Sequence, residues 1–281
     1  MYIGTLYIIQ LRKQIKMKIK AAGKTDRGLK RKTNEDSYLV APDLGLYIIA
    51  DGIGGQKAGE VASRMVAKII EDYWEEVKKG KTPIFTKNIE RNVSTKKHLI
   101  KSISFANAGV YEAQKVREYK GMGSTVAVML FEGNFVWAAN VGDSRIYTFT
   151  SGRLSQVSEE HSLEAEQRNL GLREPGSMTD PSFKHILTRA VGIKEKVDIF
   201  ITHLQPKVGD ILVMCSDGLT DFIHEKAISE ILSDFSISLR RKVDILIDEA
   251  KRNRGNDNIS VILLEITEGR EGSRWFSRLG F

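Results

Sequence analysis

Three aspartates in this chain stand where an apolar strand would meet a turn. Residues 46–51, LYIIAD, run apolar up to Asp51 and then turn on Gly52, Gly54 and Gly55. Residues 209–221, GDILVMCSDGLTD, repeat the pattern with Asp217 and Gly218, and Gly255-Asn256-Asp257-Asn258 opens a third apolar stretch at 259–266. A strand interior does not tolerate an unpaired carboxylate, so these acids must lie at strand ends, with glycines where side chains would clash. Taken singly, each is also simply a good turn. Together they suit one shared cation site, because magnesium and manganese prefer oxygen ligands and take one or two carboxylates while keeping several waters. Two such ions, about 3.5–4 Å apart, can hold a bridging water, lower its pKa and stabilise both oxygens of an in-line displacement. That chemistry is phosphate ester hydrolysis.

The elements that must position these acids are legible in outline. Alternation in MKIKAAG (17–23) predicts an edge strand, and the polar turn KTDRGLKRKTNED (24–36) leads into a short strand at 37–40. A helix is expected from about 59 to 79, with Val61, Met65, Ile69 and Tyr73 as its apolar stripe and Val66 and Ile70 beside them. A second runs from an N-cap at Ser94 to about Val116, with Leu99, Ile103, Ala106 and Val110 in line. Strands at 124–131, 134–139 and 144–150 follow, separated by short antiparallel connections. Residues 158–184, with Pro175, Gly176 and Pro181, read as a partly helical surface flap. Strands at 197–204 and 210–215, helices at 225–232 and 238–252, and the strand 259–266 complete the pattern. Strands in meanders with helices in two blocks point to an α+β fold rather than alternating βαβ units.

Bulk properties set bounds. The 281 residues are 41% hydrophobic and 28% charged, enough for one sizeable core. The net charge of +7 comes from 43 basic and 36 acidic residues, a mixed balance with no nucleic-acid recognition motif. The basic run between Lys78 and Lys101 reads as a solvated face. A single cysteine, Cys215, inside an apolar strand excludes an internal disulfide and fits a reducing, cytoplasmic setting. No apolar run is long enough for stable membrane insertion, and the N-terminal basic residues follow the apolar segment instead of preceding it. Residues 1–16 form an N-terminal extension, 17–267 the domain, and 268–281 a tail carrying Trp275, Phe276, Leu279 and Phe281.

Seven blocks carry a wider resemblance: RKTNED (31–36), ADGIGG (50–55), GMGSTV (121–126), NVGDSRIY (140–147), LTRAVG (187–192), CSDGLTD (215–221) and DNISVILL (257–264). In this order the chain resembles the metal-dependent Ser/Thr protein phosphatases of type 2C, especially compact bacterial members. The resemblance implies a four-layer α-β-β-α sandwich with two central, mainly antiparallel sheets flanked by helices. It implies two or three manganese or magnesium ions: Asp51 bridging two of them, Gly52 offering its carbonyl, Asp217 and Asp257 on the second, Glu35 and Asp36 acting through water. Asp143 with Asp217 matches a weaker third site, and Asp221 helps through a hydrogen bond or water. Arg31 corresponds to the arginine that grips the substrate phosphate, a role suited to a planar guanidinium. Arg31, Asp51 and Asp217 are thus the expected catalytic residues. Expected partners are phosphorylated Ser/Thr proteins, including a Ser/Thr kinase and its substrates, met by a monomer.

Departures from the family pattern are local. Ile53 stands where many eukaryotic relatives carry a histidine general acid, leaving a metal-bound water, His161 or His185 to protonate the leaving group. Glu159-Glu160-His161-Ser162 replaces an aspartate-histidine-serine. Rival readings fail on single residues. A dinucleotide-binding turn would need glycine where Lys57 stands and would set Asp51 against pyrophosphate. A cysteine-nucleophile phosphatase would need arginine where Asp221 stands. The remaining alternative is a catalytically weak or inactive relative acting as a binding or sensing module, which is at odds with retention of Asp51, Asp217 and Asp257.

Overall fold

The computed structural model describes residues 17–54, 58–80, 94–172 and 186–268. The expectations for residues 1–16, Gly55, the basic stretch 81–93, residues 173–184 of the flap, His185, and the tail 269–281 lie outside the described residues. In chain order the strands are β1 (Lys18–Asp26), β2 (Asp36–Ala41), β3 (Leu46–Ile53), β4 (Gly123–Ser124), β5 (Val126–Glu132), β6 (Phe135–Val141), β7 (Arg145–Thr150), β8 (Arg153–Gln156), β9 (Phe200–Leu204), β10 (Ile211–Cys215) and β11 (Ile259–Glu268). The helices are α1 (Ala58–Lys78), α2 (Thr95–Ala113), α3 (Leu163–Asn169), α4 (Asp217–Thr220), α5 (Glu225–Ser233) and α6 (Leu239–Arg252).

Two sheets form, ordered β1-β11-β10-β7-β8 and β2-β3-β5-β6-β9, with β4 pairing the far end of β3. Neighbouring strands pair antiparallel throughout. The period of two along the central strands explains how one chain builds three apolar layers. In β3, Tyr47 and Ile49 point between the sheets, where they meet Ile146, Leu212, Met214, Ile262 and Leu264. Leu46, Ile48 and Ala50 point the other way, onto α1 and α2. In the second sheet Val213, Cys215, Val261 and Leu263 face outward onto Leu232, Val243, Leu246 and Ile247 of α5 and α6. The result is the expected four-layer α-β-β-α sandwich. Each large aliphatic side chain sealed in these layers contributes roughly 1.5–3 kcal/mol.

Boundaries shifted where pairing or packing overrode pattern. β1 extends to Asp26 because Lys24, Thr25 and Asp26 find partners in Val261, Ser260 and Ile259. The expected strand at 197–204 shortens to β9, whose pairing with β6 begins at Phe200. On α1 the fully buried line is Ala62, Val66, Ile70 and Tyr73, with Val61, Met65 and Ile69 on its half-buried flank. The helix is wedged between a sheet and α2, so two faces share the burial.

Candidate metal centre

β2 and β3 pair so that Asp36 and Asp51 are direct cross-strand partners. Past that point β3 leaves β5 and continues along β4, opening the sheet where the Asp51 carboxylate emerges. Asp51 is fixed through its backbone: its N–H donates to Thr125 Oγ1 (2.9 Å), and its carbonyl accepts from Ser124 Oγ (2.9 Å) and the Thr125 N–H (2.8 Å). Gly52 is held by its N–H to the Glu35 carbonyl at 3.1 Å. A Cβ on Gly52 would come 2.1 Å from the Gly59 carbonyl oxygen and 2.7 Å from that of Glu35. Only glycine lets the helix α1, the Glu35 backbone and the Asp51 turn approach this closely.

The other sheet delivers its acids to the same place. β10 ends at Cys215, and Ser216 stands at the N-cap position of the short helix α4 that begins with Asp217, its side chain turned elsewhere. Ser216 donates through Oγ to Asp36 Oδ2 at 2.8 Å, and Ser260 of β11 donates to the same oxygen at 2.6 Å. Asp143 follows Gly142 in the turn between β6 and β7, and Asp257 stands just before β11. Arg31, Glu35, Asp51, Gly52, Asp143, Asp217, Asp221 and Asp257 all line one cavity of about 840 Å³, with Ile53 on the same wall. Asp36 lies below this wall, buried, tied to the second sheet by its two serines.

Crowding so many acids has an electrostatic signature. Burial holds Asp36 up to about 7, against the two serine hydrogen bonds that favour its charge, with Asp217 and Asp257 pushing further upward. Asp51 is held well above the carboxylate range by burial and then by Asp36, Asp217 and Asp143. Burial, then Asp217 and Glu160, raises Asp143 to about 8. Glu35 is raised by burial as well. Arg31 donates to Asp257 at 2.8 Å, and that hydrogen bond raises its own pKa. A pocket in which carboxylates drive one another toward protonation is one that added cations would stabilise. Asp36 Oδ1 is buried without a hydrogen-bond partner, a further oxygen with capacity to spare. Among the described residues no three acid, cysteine or imidazole groups already make a closed metal cage. The lining donors are carboxylate and carbonyl oxygens, which suit hard cations that retain water ligands better than a structural zinc site.

The histidine expected as an alternative acid sits elsewhere. His161 is buried outside the cavity wall. Its Nδ1 accepts the Gly142 N–H at 3.1 Å while its own backbone N–H donates to the Gly142 carbonyl at 3.0 Å. Burial and then Arg189 depress it to about 4, so at neutral pH it is an uncharged brace for the turn bearing Asp143. Sequence reasoning assigned no role to Thr125, Ser144, Ser216, Asn258 or Ser260. Each lies within one of the quoted blocks, and each binds a backbone or carboxylate of the site, with Ser144 acting through Thr125 at 2.7 Å.

Comparison with known proteins follows the same outline. The family model for protein phosphatase 2C matches residues 29–249. The serine/threonine phosphatase stp of Listeria welshimeri is 35% identical over 258 residues, covering 89% of this chain and 98% of that protein. The S. agalactiae serine/threonine phosphatase structure superposes with a TM-score of 0.78 at 28% identity, covering 89% of this chain and all (100%) of the other. The catalytic domain of the serine/threonine protein phosphatase PstP, crystallised in complex with 2 manganese ions, superposes with a TM-score of 0.72 at 27% identity, covering 89% and 99%.

Proposed function

The chain belongs to the protein phosphatase 2C family and is a metal-dependent serine/threonine phosphoprotein phosphatase, and we propose that its turnover is organised by the acids around the Asp51 turn. Manganese or magnesium, two ions in PstP, supplies the Lewis acidity that makes water nucleophilic at neutral pH and offsets charge on the phosphoryl oxygens. Asp51, the Gly52 carbonyl, Asp217 and Asp257 would hold these ions, Asp51 as the acid shared between them. Glu35 and Asp36 would act through water, Asp143 with Asp217 would hold a weaker third ion, and Asp221 would assist by a hydrogen bond or water. Arg31 grips the phosphate of the substrate, its fork of donors suited to two oxygens at once. Ile53 offers no proton, so the leaving alkoxide takes its proton from water.

The observation that carries this reading is the convergence of acids from both sheets, with Arg31 among them, on a single cavity. It also speaks against an inactive relative, since all the candidate acids except the buried Asp36 line that cavity. The substrates are phosphoproteins. We assign a Ser/Thr kinase and that kinase's targets to them, and a monomeric enzyme working in the cytoplasm, a setting that the reduced Cys215 suits. Among the described residues no helix is long and apolar enough to cross a membrane.

Purified protein with manganese is expected to release phosphate from phosphoserine and phosphothreonine peptides, and a chelator should abolish release until metal is restored. A phosphotyrosine peptide belongs in the same panel as the specificity control. Turnover that persists through chelation would sink the assignment of Asp51, Asp217 and Asp257 as metal ligands.

A further inference from the structure

The loop from residue 27 to 35 has no regular strand or helix, yet it carries both Arg31 and Glu35. One side chain outside the loop organises it. Asn258, buried directly after Asp257, accepts the Glu35 N–H through Oδ1 at 2.8 Å and donates through Nδ2 to the Arg27 carbonyl at 2.9 Å and the Thr33 carbonyl at 3.0 Å. Both amide hydrogens and one acceptor direction are thereby spent on three points spread along the loop. Backbone contacts continue the seam: the Leu29 N–H donates to the Gly255 carbonyl at 2.9 Å. Gly28, at φ +70°, packs so tightly that a Cβ would come 1.9 Å from the Asp257 carbonyl oxygen. Arg31 itself then reaches Asp257.

We propose that Asn258 is a positioning residue for phosphate recognition: its amide sets where the Arg31 guanidinium stands relative to Asp257. The proposal rests on the reading of Arg31 as the phosphate grip. Removing the amide leaves two carbonyls and one N–H of the loop without their partner, and a loop held at fewer points no longer fixes Arg31. Misplacement of a binding group by about an ångström is enough to cost one to two orders of magnitude. Asp51 is fixed by Thr125 and Ser124 and Asp36 by Ser216 and Ser260, contacts that do not involve Asn258, whereas Glu35 is held by it and Asp257 precedes it, so the loss should fall more on phosphate affinity than on metal affinity.

The test compares manganese-loaded wild type with Arg31→Ala, Asn258→Ala, Asn258→Ser and the Arg31→Ala/Asn258→Ala double variant. Calorimetry reads the binding of inorganic phosphate and, separately, of manganese, while kcat and KM are measured on a phosphopeptide. Asn258→Ala is expected to weaken phosphate binding and raise KM by about tenfold, with a clearly smaller loss of manganese affinity. In the double variant the loss should not exceed that of Arg31→Ala alone, because the two residues act through one contact. Additive losses, or a deficit confined to manganese affinity or melting temperature, would overturn the proposal. Asn258→Ser keeps a small hydroxyl side chain for the case in which alanine does not fold, and failure of both to fold would make Asn258 structural instead. Unchanged phosphate affinity in Arg31→Ala overturns the grip reading and this proposal with it. A loss in Arg31→Ala with none in either Asn258 variant overturns the role of Asn258 alone.

Discussion

Asp217 is the acid that most of its neighbours register: Asp36, Asp51 and Asp143 are each pushed upward by it. Asp217→Asn keeps the volume and removes the charge. Turnover is expected to fall on the order of 10² or more, as when a main electrostatic stabiliser is lost. The fold should survive, and the chelated variant should melt no lower than chelated wild type, since one source of repulsion is gone. Steady-state kinetics and a melting curve in chelator check both halves. At this scale Asp51, Asp217 and Asp257 were legible because a carboxylate at the end of an apolar strand is anomalous, while Glu35, Asp36, Asp143 and Asp221 came only with the family resemblance. Their supports were not legible. Ser216, Ser260 and Asn258 are ordinary turn formers by type, and only the folded chain shows Ser216 and Ser260 sharing the one Asp36 oxygen. His161, left open as a proton source, proves structural: its chemistry is visible in sequence and its burial is not.

Elements were read most faithfully where caps and periodicity agreed. Ser94 accepts from the Lys97 N–H, as expected of the serine opening α2, and Ser238, read only as the start of a helix, caps α6 by accepting from the Arg241 N–H at 3.2 Å. In α6 the basic last turn, Lys251 and Arg252, complements the helix dipole at the other end. Ser238→Ala should therefore cost about 1 kcal/mol of stability, seen as a lower melting temperature with kcat unchanged, because α6 packs behind the sheet and away from the cavity. β8 escaped the sequence reading. Its four residues, RLSQ, are too few and too polar to alternate, and they become a strand by hydrogen-bonding to β7 across the Ser151-Gly152 turn, where both residues have positive φ. The stripe of α1 was drawn one residue off its buried centre, since Ala62 and Ser63 carry little hydrophobic signal although both are fully buried.

At the scale of the whole molecule, alternation shows that there are strands but not which become neighbours. β11, last in the chain, lies between β1 and β10, so the acid at its start meets acids more than a hundred residues away in sequence. The same assembly dictates how stability responds to pH. Asp36 and Asp143 keep their protons in the folded, metal-free protein up to about 7 and about 8, while an unfolded chain releases them near 4. Between those values the folded state binds more protons, so stability falls as pH rises from about 4 to about 8. Melting curves of chelated protein across that window should descend, and saturating manganese should flatten or reverse the slope. Cys215, the chain's one cysteine, faces α5 and α6 without exposure, and burial pushes its thiol up to about 12. The native surface is therefore silent to maleimides and other thiol reagents at neutral pH. A cysteine placed at the cavity mouth, as in Lys194→Cys, would carry a fluorophore or spin label as the sole modified position, so movements of that wall during turnover can be followed without first removing the native thiol.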